Sequence, residues 1–286
     1  MAARLPMARK VRSLRVRVAE WRDKGETVAL VPTMGGLHDG HLSLVRLAKK
    51  KADRAVVSIF VNPKQFGPSE DFASYPRDEA GDAKKLAPFG TDLIFAPTVE
   101  EMYPEGFGTR IDLGGLTEVL CGASRPGHFS GMATVVAKLL LQCLPDFALF
   151  GEKDYQQLLV IQRMVADLNI PVKILGGPIA RDSDGLALSS RNMYLDAHER
   201  RTAPLLYQTI RHVASDLAKE GAADDAIVAG RARLEDAGFK VDYLEVRGAM
   251  TLDAPADLDT AKARVFVAAY LGRTRLIDNV PVPRRA

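Results

Sequence analysis

Cysteine and tryptophan are scarce in this sequence of 286 residues, which contains two cysteines and one tryptophan. Cys121 and Cys143 form neither a CxxC pair nor a metal-ligand spacing, and two cysteines cannot build a disulfide framework. The sequence also lacks an uncharged apolar run of the roughly 18 residues that a membrane-spanning helix requires. These absences exclude a disulfide-stapled secreted domain and favour a reducing compartment. We therefore expect a cytoplasmic protein with no membrane partner.

A large charge of either sign is absent as well, because 39 Lys and Arg stand against 36 Asp and Glu. Proteins that bind nucleic acids normally carry a larger and clustered basic excess, so we expect no nucleic-acid partner. What the sequence does contain is apolar material, since 47% of its residues are hydrophobic. Together with the length, this content predicts about two domains with buried cores.

The densest basic run lies near the start of the sequence. It comprises Arg4, Arg9, Lys10, Arg12, Arg15 and Arg17. A transit peptide and a surface helix both account for such a run. Because Val11, Leu14, Val18 and Trp21 recur at helical spacing, the helix is favoured.

The first 180 residues alternate between short β-rich runs and amphipathic stretches. The predicted strands are Thr27–Pro32, Ala55–Val61, Asp92–Ala96, Phe147–Gly151 and Pro171–Leu175. The predicted helices are Gly40–Lys51, a helix broken around Pro76, Gly131–Leu144 and Asp154–Leu168. Such alternation is typical of βαβ units with a parallel sheet. It predicts an α/β fold, with a Rossmann-like domain over residues 1–179.

The pattern changes after about residue 180. Two helical stretches, Ala197–Lys219 and Ala223–Glu235, precede the predicted strands Val241–Arg247 and Arg264–Leu271. This order predicts a smaller α+β domain over residues 180–286. The segment Gly176–Ser183 has the glycine and proline content of a linker.

A glycine-rich segment, residues 33–41, connects the first predicted strand to the next helix. Its three glycines allow close backbone approach to a ligand, and the helix start offers N–H groups to a phosphate. It is not a P-loop, because His41 stands where the lysine should be, and there is no GxGxxG. We interpret it as a phosphate-binding turn in which His38 and His41 donate hydrogen bonds. The alternatives are a metal-binding histidine pair and ordinary capping residues.

Polar residues also follow other predicted strands. Lys153 lies just after Phe147–Gly151, although neighbouring Asp154 and Gln157 fit a helix-capping box equally well. Gln65 follows the second strand and is expected at the same crevice edge. Ser189, Ser190 and Arg191 suit phosphate oxygens, but a polar loop capping the helix near Asp196 explains them too. A loop over Arg125–Phe129 is expected to cover the crevice as a lid.

Several motifs in order resemble the pantothenate synthetase (pantoate–β-alanine ligase) family from about residue 8 to about residue 280. They are PTMGGLHDGH at 32–41, VNPKQF at 61–66, YPR at 75–77, RPGHFSG at 125–131, GEKDYQQL at 151–158 and DGLALSSRN at 184–192. HDGH is similar to the HIGH signature of the adenylate-forming nucleotidyltransferases, and LSSR is similar to their KMSKS motif. The departures are Gly36, Asp39 and Ala180, where the family usually has alanine, glutamate and valine.

The resemblance implies an ATP-dependent condensation of (R)-pantoate with β-alanine through a pantoyl adenylate, with ATP as a substrate, Mg²⁺ and a homodimer. It implies the proton-donor position for His41, and pantoate or β-alanine contacts for Gln65 and Gln157. From the chemistry of adenylate formation, we expect His38, His41, Lys153 and Arg191 to be the catalytic residues that stabilise charge on the phosphates. The implied ATP contacts are Met34, Gly35, Gly36, Leu37, His38, Asp39, Gly40, His41, Gly151, Glu152, Lys153, Asp154, Ala180, Leu188, Ser189, Ser190 and Arg191. The sequence does not indicate which carboxylate would bind the metal, although Asp82 is a candidate. The smaller domain is expected to act as a lid.

Two other functions remain open at the level of sequence. A related nucleotidyltransferase would leave the nucleotide attached to its product. A non-catalytic regulator on the same scaffold would bind ATP without turnover, although the retained His38, His41, Lys153 and Arg191 argue against it.

Overall fold

The computed structural model describes residues 5–68, 70–219, 223–254 and 262–283. The chain divides into two compact units. The first comprises Met1–Gly114, Arg125–Glu152 and Gln157–Pro178, and the second comprises Gly115–Ser124, Lys153–Gln156 and Ile179–Ala286. Two short segments from before residue 179 thus belong with the C-terminal part of the chain.

The first unit is built on a six-stranded parallel sheet, as the alternating pattern predicts. Its strands are β1 (Met7–Ala8), β2 (Val28–Thr33), β3 (Arg54–Ile59), β4 (Leu93–Phe95), β5 (Phe147–Gly151) and β6 (Lys173–Gly177). Their order across the sheet is β1-β4-β3-β2-β5-β6. The predicted α/β class with a Rossmann-like sheet is confirmed. The two-residue strand β1 was not predicted, because so short a segment carries no alternating pattern.

Helices connect these strands. In chain order they are α1 (Val11–Arg22), α2 (Asp39–Lys51), α3 (Glu79–Leu86), α4 (Val99–Met102), α5 (Cys121–Ser124), α6 (His128–Cys143) and α7 (Tyr155–Asp167). The predicted helix broken around Pro76 is wrong, because the helix begins only at Glu79. Asp78 caps it by accepting a hydrogen bond from the Gly81 amide.

The position of β2 fixes where a ligand can bind. Strands β3 and β4 continue the sheet on one side of β2, and β5 and β6 continue it on the other. In open parallel sheets, ligands bind at the carboxyl ends of the strands where the order reverses, which here is between β2 and β5. The carboxyl end of β3 lies at the same edge of the sheet, because β3 pairs in parallel with β2.

The second unit contains a three-stranded antiparallel sheet and further helices, in agreement with the predicted α+β pattern. The strands are β7 (Phe239–Gly248), β8 (Ala263–Leu271) and β9 (Thr274–Pro281), and the helices are α8 (Ala197–Thr202), α9 (Leu205–Leu217) and α10 (Ala223–Asp236). The single helix predicted over Ala197–Lys219 is wrong because it is split before Leu205. Pro204 provides the reason, since proline has no N–H to continue a helix.

Strand β9 was missed because Arg275, Asp278 and Asn279 interrupt its apolar pattern. Each unit has its own cluster of buried side chains, the first around β2, β3 and α2 and the second around α9 and β8. Within the described residues, no helix is both long and apolar enough to cross a membrane.

Candidate active site

We call residues 33–41, which connect β2 to α2, the histidine turn. Gly35 and Gly36 adopt φ values of +84° and +61°, a region that residues with a Cβ rarely occupy. A Cβ at Gly35 would also lie 3.1 Å from Asp82 Oδ2 and 3.2 Å from Ile59 Cγ2. The turn therefore needs glycine at Gly35 both for its backbone angles and for close packing.

Asp82 on α3, which is not part of the histidine turn, stabilises the turn through hydrogen bonds. The Gly36 and Leu37 amides donate to its two carboxylate oxygens at 2.9 and 2.8 Å. Asp82 is 1% exposed, and burial raises the pKa of its carboxyl, although the two amide donors oppose that rise. Asp82 was a candidate metal ligand in the sequence, but the structure shows it as an anchor for backbone amides.

The backbone also fixes the ring orientation of both histidines. The Gly40 amide donates to His38 Nδ1 at 3.2 Å, and the His38 amide donates to His41 Nδ1 at 3.4 Å. A nitrogen that accepts a hydrogen bond carries no proton, so in each neutral ring the proton lies on Nε2. The ring centroids are 4.1 Å apart. The pair thus forms two adjacent Nε2–H donors at the start of α2.

This geometry suits an anion. His38 is the N-cap residue of α2, so the positive end of the helix dipole coincides with the histidine pair. The metal-pair interpretation fits less well, because a neutral histidine binds metal through an unprotonated nitrogen and both Nδ1 atoms already accept hydrogen bonds.

Gln65 follows β3 in a short 3₁₀ turn, Pro63–Gln65, and its side chain is buried. Its Nε2 lies 3.0 Å from Met34 Sδ, so the structure brings together a predicted substrate contact and a predicted ATP contact. Gln157 is half-buried in the first turn of α7.

The segment Arg125–Phe129 is packed rather than an open loop. Arg125 forms a bidentate ion pair with Glu70, with its shortest N–O distance at 2.6 Å. His128 Nδ1 lies 2.8 Å from the Gln65 carbonyl oxygen, and Phe129 is 5% exposed. The segment expected to be a lid thus contacts the Gln65 turn through His128.

In the second unit, the structure places Lys153 beside the serine-rich segment. Lys153 and Ser189 line the same small cavity, together with Asp278 of β9. Asn279, the next residue on β9, donates from its side-chain amide to the Lys153 carbonyl oxygen at 3.0 Å. The C-terminal sheet thereby fixes the backbone that carries the predicted catalytic lysine.

We call residues 187–191 the serine turn. Its Leu188 amide donates to the Ala180 carbonyl oxygen at 2.9 Å, which brings two predicted ATP contacts together. Ser189 Oγ accepts a hydrogen bond from the Arg191 amide at 3.2 Å. The serines do not cap the helix near Asp196, because Asp196 caps α8 itself and forms a capping box with Glu199.

Gln156, which is buried at the start of α7, was not among the predicted functional residues. Its side chain donates to the Leu116 and Val119 carbonyl oxygens at 2.8 Å and accepts from the Cys121 amide at 3.1 Å. It therefore fastens the segment Gly115–Ser124 next to the Lys153 backbone. Its partners lie 35 to 40 residues away, beyond the reach of any local pattern.

The comparisons with known proteins agree with one another. The model of the pantoate-beta-alanine ligase family matches residues 6–281. The chain belongs to the pantoate–β-alanine ligase family. It is 56% identical over 279 residues to the pantothenate synthetase of Rhodospirillum rubrum, which covers 97% of this chain and 99% of the relative. It is 53% identical over 279 residues to that of Caulobacter vibrioides, with 96% and 98% covered.

Solved structures of the family have the same fold. The crystal structure of pantothenate synthetase from Thermus thermophilus matches with a TM-score of 0.92 and 47% identity, covering 97% of this chain and 99% of that one. Pantoate-beta-alanine ligase from Francisella tularensis, complexed with beta-gamma ATP and beta-alanine, matches with a TM-score of 0.80 and 34% identity. That match covers 97% of each chain.

Proposed function

We propose that this protein condenses (R)-pantoate with β-alanine at the expense of ATP, through a pantoyl adenylate, releasing AMP and pyrophosphate. The observation that carries the proposal is the histidine turn, a pair of Nε2–H donors at a helix start, in a chain of the pantoate–β-alanine ligase family. A carboxylate is a poor electrophile, so it must first acquire a better leaving group. Its attack on the α-phosphate supplies AMP as that leaving group.

His38 and His41 stabilise the phosphates of ATP. Charge moves onto the phosphate oxygens as pyrophosphate departs, and donors that are already oriented cost no reorganisation at that moment. Removal of one comparable donor costs about 3–4 kcal/mol, or roughly 100- to 1000-fold in rate. The remaining predicted ATP contacts of the turn act through their backbone.

Lys153 and Arg191 supply positive charge to the same phosphates, and Ser189 and Ser190 supply hydroxyl donors. Lys153 and Ser189 line one small cavity, so these two residues lie near each other. An arginine fork matches two phosphate oxygens at once, whereas a lysine ammonium acts as a point charge. No side chain is required as a nucleophile, because pantoate and then β-alanine are the attacking groups.

Gln65 and Gln157 bind pantoate and its β-alanine acceptor. Pantoate combines a carboxylate and two hydroxyls with a gem-dimethyl group, so it requires a few amide groups beside apolar surface. Met34, in contact with Gln65, offers such surface. A site of this kind rejects an analogue without the hydroxyl more strongly than one without a methyl.

Mg²⁺ would accompany ATP and would neutralise part of the charge on its phosphates. The described residues contain no group of three or more His, Cys, Asp or Glu side chains placed to hold a metal ion. This fits an ion that keeps several waters and is bound mainly through substrate phosphates. No step of the mechanism above is assigned to the ion.

We further propose that residues 1–179 form the catalytic domain, that residues 180–286 act as its lid, and that the protein works as a cytoplasmic homodimer. Exclusion of water would protect the pantoyl adenylate from hydrolysis. The near-balance of charge supports small-molecule substrates rather than a nucleic acid.

Analysis of the products tests this function. With ATP, pantoate and β-alanine, we expect pantothenate, free AMP and pyrophosphate in equal amounts. A product that retains the nucleotide would identify a nucleotidyltransferase instead. ATP binding without turnover would identify a regulator.

A further inference from the structure

A hydrogen-bond relay ends at the side-chain amide of Gln65. It runs from the half-buried Tyr103, next to α4, through Asn62 to Gln65. Asn62 is 1% exposed and Gln65 is 8% exposed, so bulk water does not compete for the bond between them. All the residues of the relay belong to the first unit.

The main chain fixes the direction of the relay at Asn62. The Lys64 amide can only donate, and it lies 3.2 Å from one side-chain atom of Asn62, which must therefore be the oxygen. The Gly131 carbonyl can only accept, and it lies 3.1 Å from the other atom, which must be the nitrogen. Gly131 permits this approach, since a Cβ there would lie 1.9 Å from the Lys64 carbonyl oxygen.

The orientation of Gln65 follows from that of Asn62. Asn62 Nδ2 donates to Gln65 Oε1 at 2.9 Å, so the other end of the Gln65 amide is its NH₂ group. That NH₂ group lies 3.0 Å from Met34 Sδ, a weak acceptor that an oxygen of a substrate can replace at little cost. Gln65 thus presents a donor, which suits the carboxylate and hydroxyl oxygens of pantoate.

Tyr103 completes the set of partners of Asn62. Its hydroxyl donates to Asn62 Oδ1 at 2.7 Å, a shorter distance than that from the Lys64 amide. Burial raises the pKa of Tyr103, so the hydroxyl keeps the proton that it donates. The ring of Tyr103 is held by Phe60 and Phe107, at centroid distances of 6.1 and 5.1 Å.

We propose that Tyr103 is a positioning residue for the ligase reaction: through Asn62 it holds the Gln65 amide with its NH₂ group directed to pantoate. The inference rests on the proposed substrate contact of Gln65. Without the hydroxyl, Asn62 Oδ1 keeps only the longer bond from the Lys64 amide, so Asn62 is held less firmly and the Gln65 amide populates the flipped orientation more often. A flipped amide would direct its oxygen at the pantoate carboxylate and repel it.

Steady-state kinetics of Tyr103→Phe test the proposal. Because one neutral hydrogen bond is lost, we expect kcat/KM for pantoate to fall about three- to tenfold, while KM for ATP is unchanged. Tyr270→Phe is the matched control, since Tyr270 is 37% exposed on β8, and it should leave both constants unchanged. An unchanged kcat/KM for pantoate in Tyr103→Phe would overturn the proposal.

A double-mutant cycle separates positioning from a structural role. In a Gln65→Ala background, Tyr103→Phe should have no further effect on kcat/KM for pantoate, because the amide that it orients is gone. A full three- to tenfold loss in that background would overturn the proposal. If Gln65→Ala itself leaves kcat/KM for pantoate unchanged, the substrate role of Gln65 fails instead.

Asn62→Asp provides a second variant if Tyr103→Phe does not fold. A carboxylate has the shape of the amide but cannot donate to Gln65 Oε1, so it would favour the flipped orientation of Gln65. We expect at least a tenfold loss in kcat/KM for pantoate, and again no further loss when Gln65→Ala is present. Equal losses in the two backgrounds would contradict the relay.

Discussion

The histidine turn and the serine turn, which we propose both bind the phosphates of ATP, are stabilised in different ways. The histidine turn is stabilised by a residue far away in the sequence, because its Gly36 and Leu37 amides donate hydrogen bonds to Asp82 on α3. The serine turn is held largely by near neighbours, such as the bond from the Asn192 side chain to the Ala187 carbonyl oxygen at 3.0 Å. Because both amides of the histidine turn depend on one residue, a substitution of Asp82 should disturb the conformation of the whole turn. A substitution in the serine turn should remove only one of several local hydrogen bonds.

The largest expected effect is in the histidine turn itself. His41→Ala removes one oriented Nε2–H donor, so adenylation of pantoate should fall roughly 100- to 1000-fold. Reaction of β-alanine with supplied pantoyl adenylate should suffer less, since no pyrophosphate departs in that step. Rapid-quench measurement of each half-reaction checks this, with His198→Ala as an exposed control. An equal loss in both half-reactions would remove His41 from the first step.

Asp82→Asn tests whether the histidine turn depends on Asp82, and we expect it to have the second largest effect on adenylation. The amide can accept from only one of the two backbone donors and turns its own NH₂ group towards the other. We expect adenylation to fall about tenfold and the free energy of unfolding to fall by about 1–3 kcal/mol. Denaturant unfolding and the adenylation rate measure the two effects.

Asp78→Asn on the same helix is the matched control, because asparagine caps a helix as well as aspartate does. It should leave both quantities near their wild-type values. If Asp82→Asn behaves like this control, the histidine turn does not depend on α3.

Ser189→Ala should have a smaller effect, because it removes one neutral hydroxyl and one local cap. We expect a two- to fivefold loss in the adenylation rate, and a loss of about 0.5–1 kcal/mol in the free energy of unfolding. Ser183→Ala, at an exposed position of the same unit, is the control. A loss as large as that of His41→Ala would show that the serine turn carries more of the chemistry than its local support suggests.

The smallest effect on the reaction is expected for two ion pairs that stabilise the fold, Glu70–Arg125 in the first unit and Asp184–Arg200 in the second. Burial alone would raise the pKa of Glu70, but the hydrogen bond and charge of Arg125 lower it below its usual value of 4.5. A lowered pKa means that the pair stabilises the fold above about pH 4.5 and loses that effect as the pH falls further.

We expect Glu70→Gln to cost about 1–2 kcal/mol at pH 7 and less in acid. Asp184→Asn should cost under about 1 kcal/mol, because that side chain is 39% exposed against 24% for Glu70. Denaturant unfolding as a function of pH measures both variants. A stability difference for Glu70→Gln that grows as the pH falls would contradict the assigned direction of the pKa.

The sequence predicted those parts of the molecule that depend on local pattern. Strand Phe147–Gly151 has its predicted bounds, and His38 and His41 lie at the predicted helix start. The hidden parts depend on contacts between distant residues. Asp82 lies 45 and 46 residues from the amides that it anchors, and Tyr103 lies 41 residues from Asn62. No periodicity or motif encodes such separations.

Exchange of labelled pyrophosphate into ATP tests the central claim most directly, because it reports the adenylation step alone. We expect exchange by the wild-type protein only when pantoate is present, and at least a tenfold loss in Lys153→Ala with the fold retained. Exchange that proceeds without pantoate would contradict pantoate as the activated acid. Near-normal exchange by Lys153→Ala would remove the lysine from the reaction.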